Sequence, residues 1–286
     1  MALLLLRLWE MDAAKAALRA GLAAVPGAFP MMSSLVALEG QTGGLAAALQ
    51  MAADIRIDPA NLPDSRLLKG DALVASRRFG EAADAYRAEY DAVPQAADAG
   101  SLVRRMATAS IAAGQNDAAA GALGGWLTGH GEDVEAAQLL ARLDVIGKNY
   151  DEAVTWLEFV LGRRPRDVVA MNDLAWIYQV KGDKRARGLA QRAYLQSPTV
   201  HTADTLGWIM VQQGDAKAAL PLLRQVVQPG PGRTADAALA YHLAVALKED
   251  GKAAEAAALL RPIVRGGVAF EDRAAAGNLL ESIGGR

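Results

Sequence analysis

The chain of 286 residues has no cysteine. That excludes disulfides, thiolate metal sites and cysteine nucleophiles, and it leaves the cellular compartment open. Histidine is nearly as scarce. His130, His201 and His242 lie far apart and form no HExxH or comparable pair, so no metal site is expected. No sign of charge dominates: 30 basic and 32 acidic residues leave a net −2, unlike the basic face of a nucleic-acid binder. Two local clusters, Arg163, Arg164 and Arg166, and Lys184, Arg185 and Arg187, lack flanking aromatics that could stack bases and read as solvated surface. Long apolar runs are absent too. The opening "MALLLLRLWEMD" has five apolar residues in a row after Met1, with no basic region before them. It is too short for a signal peptide or a membrane span and reads as a helix face.

What the sequence does have is apolar mass, 52% of its residues, with aromatics at only 5% and alanine throughout. Disorder is therefore not expected. Alanine is the strongest helix former and lets helices approach closely, so the composition points to an all-helical protein. The prolines set a period: Pro26, Pro59, Pro94, Pro165, Pro198 and Pro231 are separated by 33, 35, 71, 33 and 33, the long gap being two periods with its missing stop near Gly131. A second ruler agrees. Ala47, Ala82, Ala119, Ala153, Ala186, Ala219 and Ala256 are spaced 35, 37, 34, 33, 33 and 37. Within a period the pattern is helix, glycine turn, helix, stop. Leu174, Ala175 and Tyr178 form the apolar stripe of one helix. Gly182-Asp183 ends that helix, and glycine tolerates the left-handed conformation found there. Ala186, Leu189, Ala190 and Ala193 form the stripe of the next helix, and Pro198 stops it.

This helix-turn-helix period, with its Leu-Gly/Ala pair, aromatic, glycine turn, alanine and closing proline, resembles the tetratricopeptide repeat. The resemblance is strongest from Val134 to Val264 and weakest in "AAAGALGGWLTGHGED", where helix boundaries are not legible. It implies an all-α, right-handed superhelix in one solenoid domain of about seven units. The repeats would run 1–26 (partial), 27–59, 60–94, 95–131, 132–165, 166–198, 199–231 and 232–266, with a capping helix over 267–286. "WEMDAAKAALRAGLAAVPG" reads as a turn and a second helix after only a stub of first helix. The chain would then open inside a repeat, as a fragment of a longer protein or a shortened relative would.

The family's groove-facing positions carry over to Asn172 and Trp176, Asp204 and Trp208, Tyr241 and Val245, Gln138 and Arg142, Arg104 and Thr108, and Leu67 and Asp71. His201, Asp173 and His242 fall on the same face. The candidate partner-binding residues are therefore Asn172, Trp176, His201, Asp204, Trp208 and Tyr241, with Arg104, Arg105 and Arg142 as a separate patch suited to an anion. Trp176 and Trp208 fit two roles: wedges bracing adjacent first helices, or amphipathic aromatics of a binding hot spot. Relatives with a Lys/Asn/Arg clamp for a terminal carboxylate are poor guides, because these positions are not lysine-rich and Asp204 would repel a carboxylate.

Nothing in the sequence calls for catalysis or a cofactor. No GxSxG elbow is present, and "QPGPGRTADAA" lacks the lysine of a phosphate loop and reads as a longer inter-repeat connection. Glu132-Asp133 and Glu271-Asp272 sit where helices should begin, favoured there by the helix dipole. The stretch from Val168 to Gly285 resembles the C-terminal part of the tetratricopeptide lipoproteins of bacterial PEP-CTERM/exosortase systems, which accompany exopolysaccharide and surface-protein sorting loci. That resemblance implies a non-catalytic scaffold for a protein or peptide partner in envelope assembly or export. The alternative is a scaffold holding a polysaccharide on its groove aromatics. A periplasmic or outer-membrane-associated location is implied if the chain is part of a longer lipoprotein, and a cytoplasmic one otherwise.

Overall fold

The computed structural model describes residues 2–57, 64–227, 236–266, 270 and 272–284. Pro59, Pro231, Glu271 and most of the "QPGPGRTADAA" connection lie outside them. Among the described residues there are fifteen α-helices and no strand. The chain divides into two units, 1–148 and 149–286.

The first unit holds α1 (Ala2–Ala24), α2 (Phe29–Ile57), a short 3-10 turn (Asp64–Leu67), α3 (Leu68–Ala75), α4 (Phe79–Ala92), α5 (Ala99–Ala112), α6 (Asn116–Gly129) and α7 (Val134–Ile146). The second holds α8 (Tyr150–Arg163), α9 (Val168–Val180), α10 (Ala186–Gln196), α11 (Val200–Gln212), α12 (Ala216–Val226), α13 (Ala237–Glu249), α14 (Ala253–Arg265) and α15 (Arg273–Ser282). Counted along the chain, the first helices of the repeats are the N-terminal half of α2, then α3, α5, α7, α9, α11 and α13. The second helices are the C-terminal half of α2, then α4, α6, α8, α10, α12 and α14.

The alanine ruler explains the packing. Ala82, Ala119, Ala153, Ala186, Ala219 and Ala256 are each 0% exposed. A methyl group at these points lets each second helix press against its neighbours, and a larger side chain would hold it off. The first mark slips by one residue: Ala47 is only partly buried, and Ala48 takes the core position. The same logic holds for two glycines on first helices, Gly70 and Gly207. A Cβ on Gly70 would lie 2.2 Å from the Tyr86 ring, and one on Gly207 would lie 2.8 Å from Leu223.

Turns separate the helices of a pair through one left-handed residue. In the second unit it is Gly182, Gly214 and Gly251, as glycine's freedom from a Cβ allows. In the first unit the corresponding residues are Arg77 (φ 59°), Gly114 and Lys148 (φ 60°). Helix starts are capped by side chains: Asp133 accepts from the Ala136 N–H, Asp167 from Ala170, and Thr199 and Thr202 form a reciprocal box.

Two features differ from the sequence reading. The N-terminal segment contains no turn, because α1 is one helix from Ala2 to Ala24. Its run of Ala, Leu, Met, Glu, Lys and Arg has no breaker strong enough to interrupt it. The glycine-rich stretch is also helical, as α6 continues to Gly129. Ala119, Leu123 and Leu127 anchor its inner face, while Gly121, Gly124 and Gly125 face open space. Burial of the apolar stripe outweighs the poor propensity of glycines that touch nothing.

Candidate functional site

In the first unit, polar groups on the first helices are tied to one another across repeats. The Tyr86 hydroxyl donates to Asp71 Oδ1, and Arg105 pairs with the same oxygen. Tyr86 is 1% exposed, and burial followed by the adjacent Asp71 charge pushes its phenol pKa up. Arg104 pairs with Asp133 Oδ2, which also accepts from the Trp126 indole at 2.9 Å. Burial alone would raise the Asp133 carboxyl, but the Ala136 N–H, the indole and Arg104 together hold it below its ordinary range. His130 stacks on Trp126 with ring centroids 3.5 Å apart.

Two cavities open along this face and share Asp71 in their linings. One, of about 280 Å³, is bordered by Tyr86, Ser101, Arg104, Arg105 and Thr108. The other, of about 360 Å³, is bordered by Ser33, Gln41 and Leu68. Of the three arginines grouped in the sequence reading, Arg104 and Arg105 meet at the first cavity, each already holding a carboxylate. Arg142 is exposed on α7 and does not border it. Leu67, carried to the groove by resemblance, is instead buried at 7% exposure, at the end of a 3-10 turn that packs against α2.

The second unit is built differently. Here α9, α11 and α13 lie side by side, and rings rather than ion pairs collect on them. Trp208 stacks on His242 at 4.2 Å and 18°, with Tyr241 tilted at 48° and 6.0 Å from the indole. His242 Nδ1 and Asp204 Oδ1 are 2.8 Å apart. A carboxylate oxygen can only accept, so Nδ1 is the donor. Trp176 meets Tyr150 edge-on at 5.6 Å. Both tryptophans are half-buried, and no ring contact among the described residues joins them to each other. Asn172 is half-buried with its Oδ1 fully enclosed and unpartnered, whereas His201 is exposed. Trp208, Tyr241 and Asp204, candidates from the sequence, thus meet around His242. The sequence reading missed Tyr86, Trp126 and Tyr150, which sit on second helices and reach across.

The chain matches no family model and no curated protein. It is similar to solved structures. One is a crystal structure of the APC/C hetero-tetramer Cut9-Hcn1, at 17% identity and a TM-score of 0.68, with 96% of this chain and 52% of that one covered. The present chain thus spans about half the length of that protein. Another is a tetratricopeptide repeat protein from Parabacteroides merdae, at 14% identity and a TM-score of 0.60, covering 89% of this chain and 98% of that one. The fold is that of the tetratricopeptide repeat. Among the described residues no helix is long and apolar enough to cross a membrane, and no cluster of His, Asp and Glu is grouped to hold a metal ion.

Proposed function

We propose that this tetratricopeptide solenoid is a non-catalytic scaffold that binds a protein or peptide partner along its first helices. One observation carries the reading. Of the seven large apolar side chains left exposed among the described residues, five sit on first helices: Val74 and Ile146 in the first unit, and Val169, Val180 and Val200 in the second; Leu195 sits on a second helix and Val25 in the turn after α1. Within each unit, apolar groups left out of a well-packed core and concentrated on the first helices mark an interaction surface. Trp176, Trp208 and Tyr241 lie on the first helices of the second unit, with Asp204 and His201 as polar partners, and Arg104, Arg105 and Arg142 are the counterpart in the first unit. We further place the scaffold in a bacterial envelope or export assembly, a reading that rests on the resemblance over Val168 to Gly285. Direct polysaccharide binding, with Trp176, Trp208 and Tyr241 as stacking platforms, is the alternative.

The test is selection from a displayed random-peptide library. Peptides should be enriched whose binding is lost in the double variant Val169→Ser, Val180→Ser and kept in Leu195→Ala. All three residues are exposed, so the fold should tolerate the changes. Enriched peptides indifferent to the valine changes, or no enrichment at all, would sink the reading.

A further inference from the structure

We infer that the first-helix face of the second unit binds a basic peptide segment, whose lysine or arginine side chains lie against Trp208 and Tyr241 and pair with Asp204. This deepens the scaffold reading above and rests on it.

After α8, which carries Asp151, Glu152 and Glu158 against a single Arg163, charge is sorted by helix position. From α9 onward, the second helices α10, α12 and α14 carry two basic residues each and, between them, a single acid, Glu255. The first helices run the other way. Neither α9 nor α11 has a lysine or arginine, and their charged residues are Asp173 and Asp204. The one basic residue of α13, Lys248, lies at the end of that helix against Glu249. A face with acids and aromatics but almost no cations of its own selects for positive charge and against negative charge.

The ring geometry supports the same partner. An indole attracts a cation over its face more strongly than a phenol or a benzene ring does. His242 covers one face of Trp208 and, through the bond from Nδ1 to Asp204, fixes both the indole and the carboxylate. Tyr241 stands tilted beside the indole like the second leaf of an open book. Asp204 Oδ2 has no hydrogen bond among the described residues, so it can still accept from an ammonium or a guanidinium. The negative charge of Asp272 also reaches this corner: burial first, then that charge, raises the Tyr241 phenol. Exposed Val169, Val180 and Val200 extend the surface along α9 and α11, where the aliphatic stems of long basic side chains would rest.

The experiment uses the full chain and three fluorescein-labelled probes: hexa-arginine, hexa-glutamate and a neutral Gly-Ser peptide, titrated by anisotropy. Hexa-arginine should bind, and Asp204→Asn should weaken it about tenfold. Asparagine keeps an acceptor for His242, so helicity by circular dichroism should not change. Trp208→Phe, which keeps a ring but weakens its face, should give a smaller loss, and Leu195→Ala none. The inference falls if hexa-glutamate binds as tightly as hexa-arginine, if hexa-arginine ignores Asp204→Asn, or if hexa-arginine does not bind. Library peptides that need Val169 and Val180 yet carry no basic residue would leave the scaffold reading standing and overturn this one.

Discussion

The two units share a repeating frame and finish its inner face in opposite ways. In the first, carboxylates and guanidiniums on neighbouring repeats cancel each other: Asp71 with Arg105, Asp133 with Arg104, and Glu39 with Lys15 and Arg19. In the second, α9 and α11 carry only acids, and aromatic rings fill the face. Even the turns differ. Glycine takes every left-handed turn residue between paired helices in the second unit, while Arg77 and Lys148 hold two of those positions in the first. The comparison separates what a solenoid frame demands from what it leaves free. Methyl-sized residues at the helix crossings are demanded, because close packing has no room for more. The chemistry of the exposed face is free.

That division gives the largest expected effect. If the frame is common to both units, Ala82→Leu in the first and Ala186→Leu in the second should each cost on the order of 1–3 kcal/mol through overpacking. Ala47→Leu, at the slipped mark where the side chain is only partly buried, should cost much less. Urea midpoints measured on the three variants check this. A cost confined to one unit would break the claim of a shared frame.

The frame was legible because it is written in short-range signals. Leu174, Ala175 and Tyr178 are buried as their helical spacing requires, and Gly182 has the positive φ expected of a helix stop. Arg77 and Lys148 were not legible as turn residues, because nothing about their side chains favours a left-handed backbone. The continuous α1 differs from the turn expected there, and the boundaries of α6 in the glycine stretch were not legible, for a related reason: tertiary burial, invisible in a local window, decides such segments. The site was half legible. Period and phase put Trp208, Tyr241 and Asp204 on one face, but the contacts of Trp126 with Asp133 and of Tyr150 with Trp176 run between different repeats, and that of Tyr86 with Asp71 between the two helices of one repeat. A signal for some of them was present and unused. Arg105 and Asp71 are 34 residues apart, Arg56 and Glu89 33, and Arg66 and Asp98 32. Opposite charges one period apart are a third ruler, and it measures contacts between neighbouring units.

A middle-sized effect sharpens the contrast in how polar groups are held. Tyr86→Phe removes a buried hydroxyl from a carboxylate that also holds Arg105, and should cost about 1–2 kcal/mol. Tyr178 makes an analogous bond in the second unit, 2.5 Å to Glu158, and Arg185 sits 4.1 Å over its ring. Glu158, however, is largely open to water, which can replace the lost bond. Tyr178→Phe should therefore cost about 0.5 kcal/mol or less. Thermal melts of the two variants decide it. Equal losses would mean that the polar network of the first unit is no more structural than that of the second.

The smallest expected effect concerns Asn172 on α9. A carbonyl oxygen shut away from water without a donor has already lost its hydration and received nothing in return. Replacing it with a methyl group removes that penalty, and alanine is the better helix former by about half a kcal/mol. Against this stands the packing lost around a half-buried side chain. The two should nearly cancel, so Asn172→Ala should shift the unfolding free energy by less than about 0.5 kcal/mol. The enclosed oxygen also means that a partner cannot reach it without moving a neighbour. In the peptide titrations Asn172→Ala should then leave hexa-arginine affinity close to wild type, in contrast to Asp204→Asn. A loss of binding as large as that of Asp204→Asn would show that the side chain turns outward when a partner docks. Asn172 would then belong to the contact surface of the second unit rather than to its packing.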